Sequence, residues 1–389
     1  MSLNLDKSTW GRVAFGDVVN NANQTVRDPS GSGIDRIIAM EHMDPGELRI
    51  KRWGAVEDGT TFTRRVKPGQ TLFGKRRAYQ RKVAYAEFDA ICSGDIYTFE
   101  ADESQLLGDF LPFVVQSNQF FDHALGTSAG SLSPRTNWRD LANFEFQIPA
   151  IDEQRRIADL LWALENAQQA ARDLRSCLGA AHVARADVVL ADVESRDGRT
   201  PLVDLVRESI TDGVREKGGN IEGGVPYVRV SDMTQHGLTS EGMLRMGTDL
   251  AASNRASLMR SGDIVMALRS KIGLCHIVPT ELDGCNIAQG VAKIAPDFEK
   301  VSAGYLFEVL MAQRTQSELD RVAKGTTIRE VGLKALREFT LPLPSSAAER
   351  TAIVDDFRSM RLAAEQVGSE IRSIKQLQSS FSADVFGGN

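Results

Sequence analysis

Ile148-Pro-Ala-Ile-Asp-Glu-Gln-Arg-Arg-Ile157 decides the reading of this chain, because its pattern returns as Leu341-Pro-Leu-Pro344 leading to Glu349-Arg-Thr-Ala-Ile353. Each copy is an apolar segment closed by proline, then a glutamate, then the start of a long apolar periodicity. Working outward, residues 110–149 and 305–344 run without a gap at an offset of 195. That register pairs Leu111 with Leu306, Val114 with Val309, Gly130 with Gly325, Leu141 with Leu336, Phe144 with Phe339 and Pro149 with Pro344. One residue of slippage then brings Glu153 onto Glu349 and Ile157 onto Ile353. A repeat of this length implies two similar modules, each closed by a long helix, in a protein that reads two things at a fixed separation.

The long helices carry the clearest periodicity. In the first, Ile157, Leu160, Leu164, Ala167, Ala171, Leu174, Leu178, Ala181, Arg185 and Val188 fall at alternating spacings of three and four. In the second, Ile353, Phe357, Met360, Ala364, Val367, Ile371, Ile374, Gln378, Phe381 and Val385 do the same. Spacing that averages 3.5 marks a coiled-coil seam, and two seams in one chain are most simply satisfied by each other, antiparallel. The competing reading packs each helix on its own module. Length opposes it, since a helix of ~38 residues spans ~57 Å, more than a module of this size is wide. Asp152 and Ser345 or Ser346 serve as N-caps.

Before each helix lies a module rich in short strands. In the first, candidate strands are Ile34–Met40, Gln70–Gly74, Lys82–Ala86 and Asp95–Phe99, followed by a helix over Gln105–Ala124 and the small-residue loop 126–133. In the second they are Tyr227–Val230, Asp263–Leu268 and Val291–Ile294, then a helix over Ala303–Ala323 and the loop Lys324-Gly-Thr-Thr. Helices grouped after strands predict an α+β fold: two pseudo-symmetric modules separated by a long antiparallel two-helix coiled coil. The expected division is a module at 1–150, a helix at 151–198, a module at 199–346 and a helix at 347–389.

Composition bounds the function. The 389 residues are 42% hydrophobic and 25% charged, ordinary for a soluble globular protein, and no apolar run reaches the ~18 residues of a membrane span. Four scattered cysteines, Cys92, Cys177, Cys275 and Cys285, give no metal or disulfide framework, although Cys275 and Cys285 are close enough in sequence to meet in space. A reducing cytoplasm is the expected compartment. The net charge of −6 argues against nucleic-acid binding, but its distribution argues back. From Arg49 to Lys82 eleven basic residues face only Glu57 and Asp58, with Trp53, Phe62, Phe73 and Tyr79 among them and Tyr85 just beyond. Arginines outnumber lysines 34 to 12, and the arginine fork matches phosphate and guanine edges.

Absent motifs narrow the choice further. There is no Gly-x-Gly-x-x-Gly and no phosphate loop, no Pro-Pro-aromatic tripeptide of base methylation, and no Asp or Glu two residues before any lysine as in metal-dependent nucleases. None of His42, His123, His182, His236 and His276 lies within four residues of another. The chain reads as non-catalytic, with no cofactor.

Two variable modules, each ending in a hydrophobic-proline segment, Glu-Gln-Arg-Arg-Ile or a degenerate copy, and a long helix, resemble the DNA-specificity (S) subunits of type I restriction-modification systems. Val225-Pro-Tyr-Val-Arg-Val-Ser-Asp-Met233, Ser261-Gly-Asp-Ile-Val-Met-Ala-Leu-Arg269 and Lys324-Gly-Thr-Thr-Ile328 add to the resemblance, which covers essentially the whole chain. The sequence departs from the family pattern in Glu349-Arg350, where Glu-Gln is usual, and in Gly126-Thr-Ser-Ala-Gly. The resemblance implies that the modules are target recognition domains, each reading one half of an asymmetric bipartite site on double-stranded DNA. It also implies that the coiled coil sets the gap and docks two methyltransferase subunits, with restriction subunits in the full complex.

On that reading the DNA face of the first module is Arg64, Arg65, Lys75, Arg76, Arg77, Arg81 and Lys82. Aligning Gly69–Arg77 with Gly262–Ser270 nominates Arg269 and Lys271 in the second, with Arg229 on a neighbouring strand. The alternative is a non-catalytic coiled-coil scaffold joining two protein-binding modules.

Overall fold

The computed structural model describes residues 5–128, 134–215, 219–234, 237–238, 240–325 and 329–387. Gly130, His236 and most of the two small-residue loops lie outside the described residues. The chain forms two compact units, Met1–Arg172 with Ser369–Asn389, and Asp173–Gly368. Both boundaries fall inside the long helices, Ile151–Asp197 and Ala347–Phe386.

In the first unit an antiparallel sheet runs in the order Val19–Asn21, Ile96–Ala101, Thr71–Gly74, Val83–Tyr85. A second sheet of Gly54–Ala55, Arg36–Ile38, Ala90–Cys92 and Arg64–Val66 contains one parallel pair, Arg36–Ile38 with Ala90–Cys92. The second unit repeats the plan. Thr211–Asp212, Val291–Ile294, Ile264–Ala267 and Cys275–Ile277 form the antiparallel sheet. Val225–Val228 pairs in parallel with Asn286–Ile287 in the other. The fold is α+β in both units.

One expected element is split in each module. In place of a single helix over Gln105–Ala124 there are two, Leu111–Gln116 and Asn118–Gly126, with Ser117 extended between them. Its side chain accepts from the Phe120 N–H and caps the second helix. The second unit breaks at the position 195 residues on, where extended Ala312 separates Ala303–Met311 from Gln313–Val322. There the Gln316 side chain donates to the carbonyl of Leu310 at 2.6 Å. The cores differ in chemistry. The first is aromatic, with Phe15 and Phe99 edge to face at 5.3 Å and Phe73 and Phe120 at 5.5 Å. The second is mainly aliphatic, built on Ile264, Met266, Leu306, Val309 and Leu310.

The long helices run antiparallel within each unit, and their ends belong to the cores. Ile157 and Leu161 join Phe381 and Val385 in the first core. Ala186, Leu190 and Val193 join Ile353 and Phe357 in the second. Between these anchors the pairing is polar. Gln168 donates to Gln378, Gln378 donates to Glu165 at 3.3 Å, and Arg172 donates to Glu47 at 2.6 Å. Burial pushes the Glu165 carboxyl above its ordinary range, against a lowering by the Gln378 hydrogen bond.

The second helix presents the expected stripe: Ile353, Phe357 and Val367 are buried, and Met360, Ile371 and Ile374 half-buried. The first helix turns a different stripe inward. Leu160 and Leu174 are 43% and 50% exposed, Val188 is exposed as well, and Leu164 and Leu178 are half-buried. Ile157 of the expected stripe and Leu190 are buried in the two cores. The other inward positions are Gln154, Ala158, Leu161, Glu165, Gln168 and Arg172 in the first unit, and His182, Ala186, Val189 and Val193 in the second. These others keep one heptad register. Apolar periodicity selected the wrong stripe because the true seam is apolar only where it enters a core.

Candidate nucleic-acid interface

Seven of the ten nominated residues lie on one hairpin turn per module, Lys75, Arg76, Arg77, Arg81 and Lys82 in the first and Arg269 and Lys271 in the second. Arg64, Arg65 and Arg229 belong to strands or strand ends of the neighbouring sheets. In the first, Thr71–Gly74 and Val83–Tyr85 are joined by a turn from Lys75 to Lys82. Gly69 and Gly262 both have positive φ, 86° and 87°, as do Arg77 and Ser270, 56° and 63°, so the alignment of Gly69–Arg77 with Gly262–Ser270 holds in backbone conformation. The far end of each turn is also left-handed, at Arg81 with φ 52° and Gly273 with φ 80°. A second segment lies against each turn. Arg77 N–H donates to the Pro134 carbonyl at 2.9 Å and Thr136 N–H to the Lys75 carbonyl at 2.9 Å. In the other module Val331 N–H donates to the Leu268 carbonyl at 2.9 Å. The turn and its neighbour are one construction used twice.

The side chains of the first module sort by partner. Arg76 and Arg135 both reach Asp95, at 3.2 and 3.4 Å. Lys75 and Arg64 stand over the ring of Tyr97, at 5.2 and 5.9 Å from its centroid, and Arg64 also donates to the Ile96 carbonyl. Arg76, Arg135 and Lys75 therefore share one carboxylate, with Arg64 close to Lys75. Burial first, and the neighbouring Arg64 second, hold the Lys75 ammonium below its ordinary range. Arg65 pairs with Asp89 at 3.0 Å.

Arg81 and Lys82 turn inward. Arg81 donates to the Gln116 carbonyl at 3.1 Å and to Asn118 at 2.8 Å, and its guanidinium lies 4.3 Å from the Phe121 ring centroid. Lys82 donates to the Met40 carbonyl at 2.6 Å. Arg77 is exposed, and among the described residues no hydrogen bond or ion pair engages its side chain. Sequence reasoning missed Arg135 and Asp95. Arg135 stands 195 residues before Glu330, and both make the same bridge to the turn, Arg76 with Arg135 and Arg269 with Glu330. The repeat register was the signal that pointed to it.

In the second module the nominated cations are all engaged. Arg269 donates to the Gln289 carbonyl at 3.0 Å and Lys271 to the Met233 carbonyl at 2.6 Å. Arg229 forms a two-pronged pair with Asp232 at 2.9 and 2.6 Å, so it braces the turn after its strand. Among the described residues no group of three His, Cys, Asp or Glu side chains is placed to hold a metal ion. Cys92, Cys275 and Cys285 are buried free thiols, and burial raises all three, Cys92 to about 12. No described helix is long and apolar enough to cross a membrane.

The family model described as the type I restriction modification DNA specificity domain matches residues 56–173 and 210–362, so it meets both modules. The chain belongs to this family. It is similar to the type I restriction enzyme EcoBI specificity subunit of Escherichia coli, 26% identical over 180 residues, 45% of this chain and 38% of that protein. With the EcoDI specificity subunit of the same organism it shares 32% over 152 residues, 39% of this chain and 33% of the other. The matched stretch thus spans little more than a third of either curated relative. In fold it resembles the crystal structure of the type I restriction-modification S subunit from M. genitalium, at a TM-score of 0.65 and 12% identity, over 100% of this chain and 99% of the other. The hairpin turns lie inside the family match, at 75–82 and 268–274.

Proposed function

We propose that this chain is the specificity subunit of a type I restriction-modification complex, itself non-catalytic, and that its two modules each read one half of an asymmetric bipartite site in double-stranded DNA. One observation carries the reading: each module presents the same left-handed-bounded turn beside the same bracing segment, yet fills it with different side chains, Arg76-Arg77-Ala-Tyr-Gln-Arg81 against Arg269-Ser270-Lys-Ile-Gly273. Similar presentation with different chemistry suits two unlike half-sites. The division into recognition modules at 1–150 and 199–346, with spacer helices at 151–198 and 347–389, belongs to this proposal.

Within it, Lys75, Arg76 and Arg135, with Arg64 and Arg65 behind them, neutralise backbone phosphates in the first half-site. Arg269 acts in the second, and Arg81, Lys82, Lys271 and Arg229 brace the turns. The partners are two methyltransferase subunits, with restriction subunits in the full complex. Co-expression with the methyltransferase subunit followed by sequencing of methylated bases should yield one bipartite target with an unread gap. Binding of the assembled complex to duplex DNA should weaken steeply with salt, as phosphate contacts require. A chain that binds other proteins but leaves methylation untargeted would be a scaffold.

A further inference from the structure

The hairpin turn of the first module separates residues that hold DNA from residues that would read it, and the inference rests on the proposed function above. Of the seven cations nominated around this turn, Arg77 alone has no partner among the described residues. Arg64, Arg65 and Arg76 meet a carbonyl or a carboxylate, Lys75 stands against Tyr97, and Arg81 and Lys82 are tied to carbonyls. Arg77 and Tyr79 flank buried Ala78 in the short 3-10 turn Ala78–Gln80, and Tyr79 is 57% exposed. A free arginine and an uncovered aromatic ring therefore stand together at the tip.

The backbone beneath them is held under strain. Arg77 and Arg81 both adopt left-handed φ, which disfavours any residue with a Cβ. The second module meets the far position with Gly273, where the conformation is free. Here Arg81 takes it instead, locked by Phe121, Asn118 and the Gln116 carbonyl. Strained positions held by surrounding contacts fix a tip in one orientation, as a reading element requires. The second module's turn is one residue shorter, and its lysine, Lys271, is committed to the Met233 carbonyl.

We infer that the Arg77–Tyr79 tip is the base-reading element of the first module, with the Arg77 fork on the N7 and O6 of a guanine in the major groove and the Tyr79 ring against the adjacent base. Two parallel N–H···O/N bonds match the planar fork, and a lysine, a point charge on a flexible stem, reaches the same two acceptors less rigidly and so is a poorer replacement. The neighbouring Lys75, Arg76 and Arg135, sharing one carboxylate, leave net positive charge for the phosphate alongside.

The test uses the full complex, with the methyltransferase subunits co-expressed and methylated sites sequenced, and compares Arg77→Gly, Arg77→Lys and Tyr79→Ala. Arg77→Gly keeps the left-handed backbone, so the turn folds. Both Arg77 variants should relax one G·C pair of a single half-site by roughly 10- to 100-fold, leaving the other half-site and the gap as in the wild type. Tyr79→Ala should relax the neighbouring position. If the wild type has a defined bipartite target and Arg77→Gly weakens all sites alike without relaxing any base, the contact is to phosphate and the inference is overturned. The same holds if Arg77→Gly changes nothing. A wild-type complex with no defined target would instead remove the proposed function itself.

Discussion

Gln154 shows how one side chain ties a module to its helix. It is fully buried, donates to the carbonyls of Gln105 and Pro149 at 2.8 and 2.9 Å, and accepts from the Leu107 N–H at 2.9 Å. An amide can do both, because it carries donors and an acceptor. The second copy places Arg350 there, which donates to the Pro344 carbonyl at 2.6 Å and the Ser345 carbonyl at 3.2 Å but has nothing to accept with. The departure from Glu-Gln is thus a partial substitute for the same tie. Gln154→Ala should leave buried groups without partners, at about 1–3 kcal/mol for each. Arg350→Gln should retain a donor for Pro344 and cost less than about 1 kcal/mol. Urea unfolding of both variants checks the order, and a Gln154→Ala protein as stable as Arg350→Gln would show that the buried amide ties nothing.

At the scale of elements, the two stripes of the first long helix give a sharper contrast. Leu161 is fully buried in the first core with Ile157 and Phe381, while Leu160, its neighbour in sequence, is 43% exposed. Leu161→Ala should cost about 2–5 kcal/mol and Leu160→Ala less than about 0.5 kcal/mol, measured by the same unfolding. The opposite order would restore the stripe that periodicity favoured. This is also where the sequence stopped being legible. The repeat, the seven candidate strands and both long helices could be read, because they rest on spacing and on local residue preference, whereas short strands such as Ala90–Cys92, Cys275–Ile277 and Asn286–Ile287 were missed. The helix break at Ser117 and Ala312 could not, since neither position is a glycine or proline that would punctuate the helical pattern. Nor could the seam of the first helix, where Glu165, Gln168 and Arg172 face inward because Gln378 and Glu47 complement them from elsewhere in the chain. In the candidate interface the basic run picked out the hairpin whose turn the repeat builds twice. The partners that separate Arg77 from Arg81 come from residues 116–121, beyond the reach of a local pattern.

At the scale of the whole molecule, the connection between the two compact units matters most. Both boundaries, after Arg172 and after Gly368, lie within the long helices, so the chain passes from one unit to the other only along them. If the proposed function holds, the length of that helical connection sets the unread gap, and half-site separation becomes a property of rise per residue. Seven residues are the informative insertion, since one heptad returns every seam position to the same face, whereas four would rotate it. Because the helices are antiparallel, the insertion must be made in both, after Gln169 in the first and after Ile374 in the second. Each adds ~10.5 Å of rise, equivalent to ~3 base pairs of duplex. Sequencing of methylated sites should then show a gap longer by about three base pairs, with both half-site sequences unaltered, since no side chain of either turn has changed. An active double-insertion complex that kept the wild-type gap would show that the spacing is set elsewhere, by the partner subunits or by the DNA.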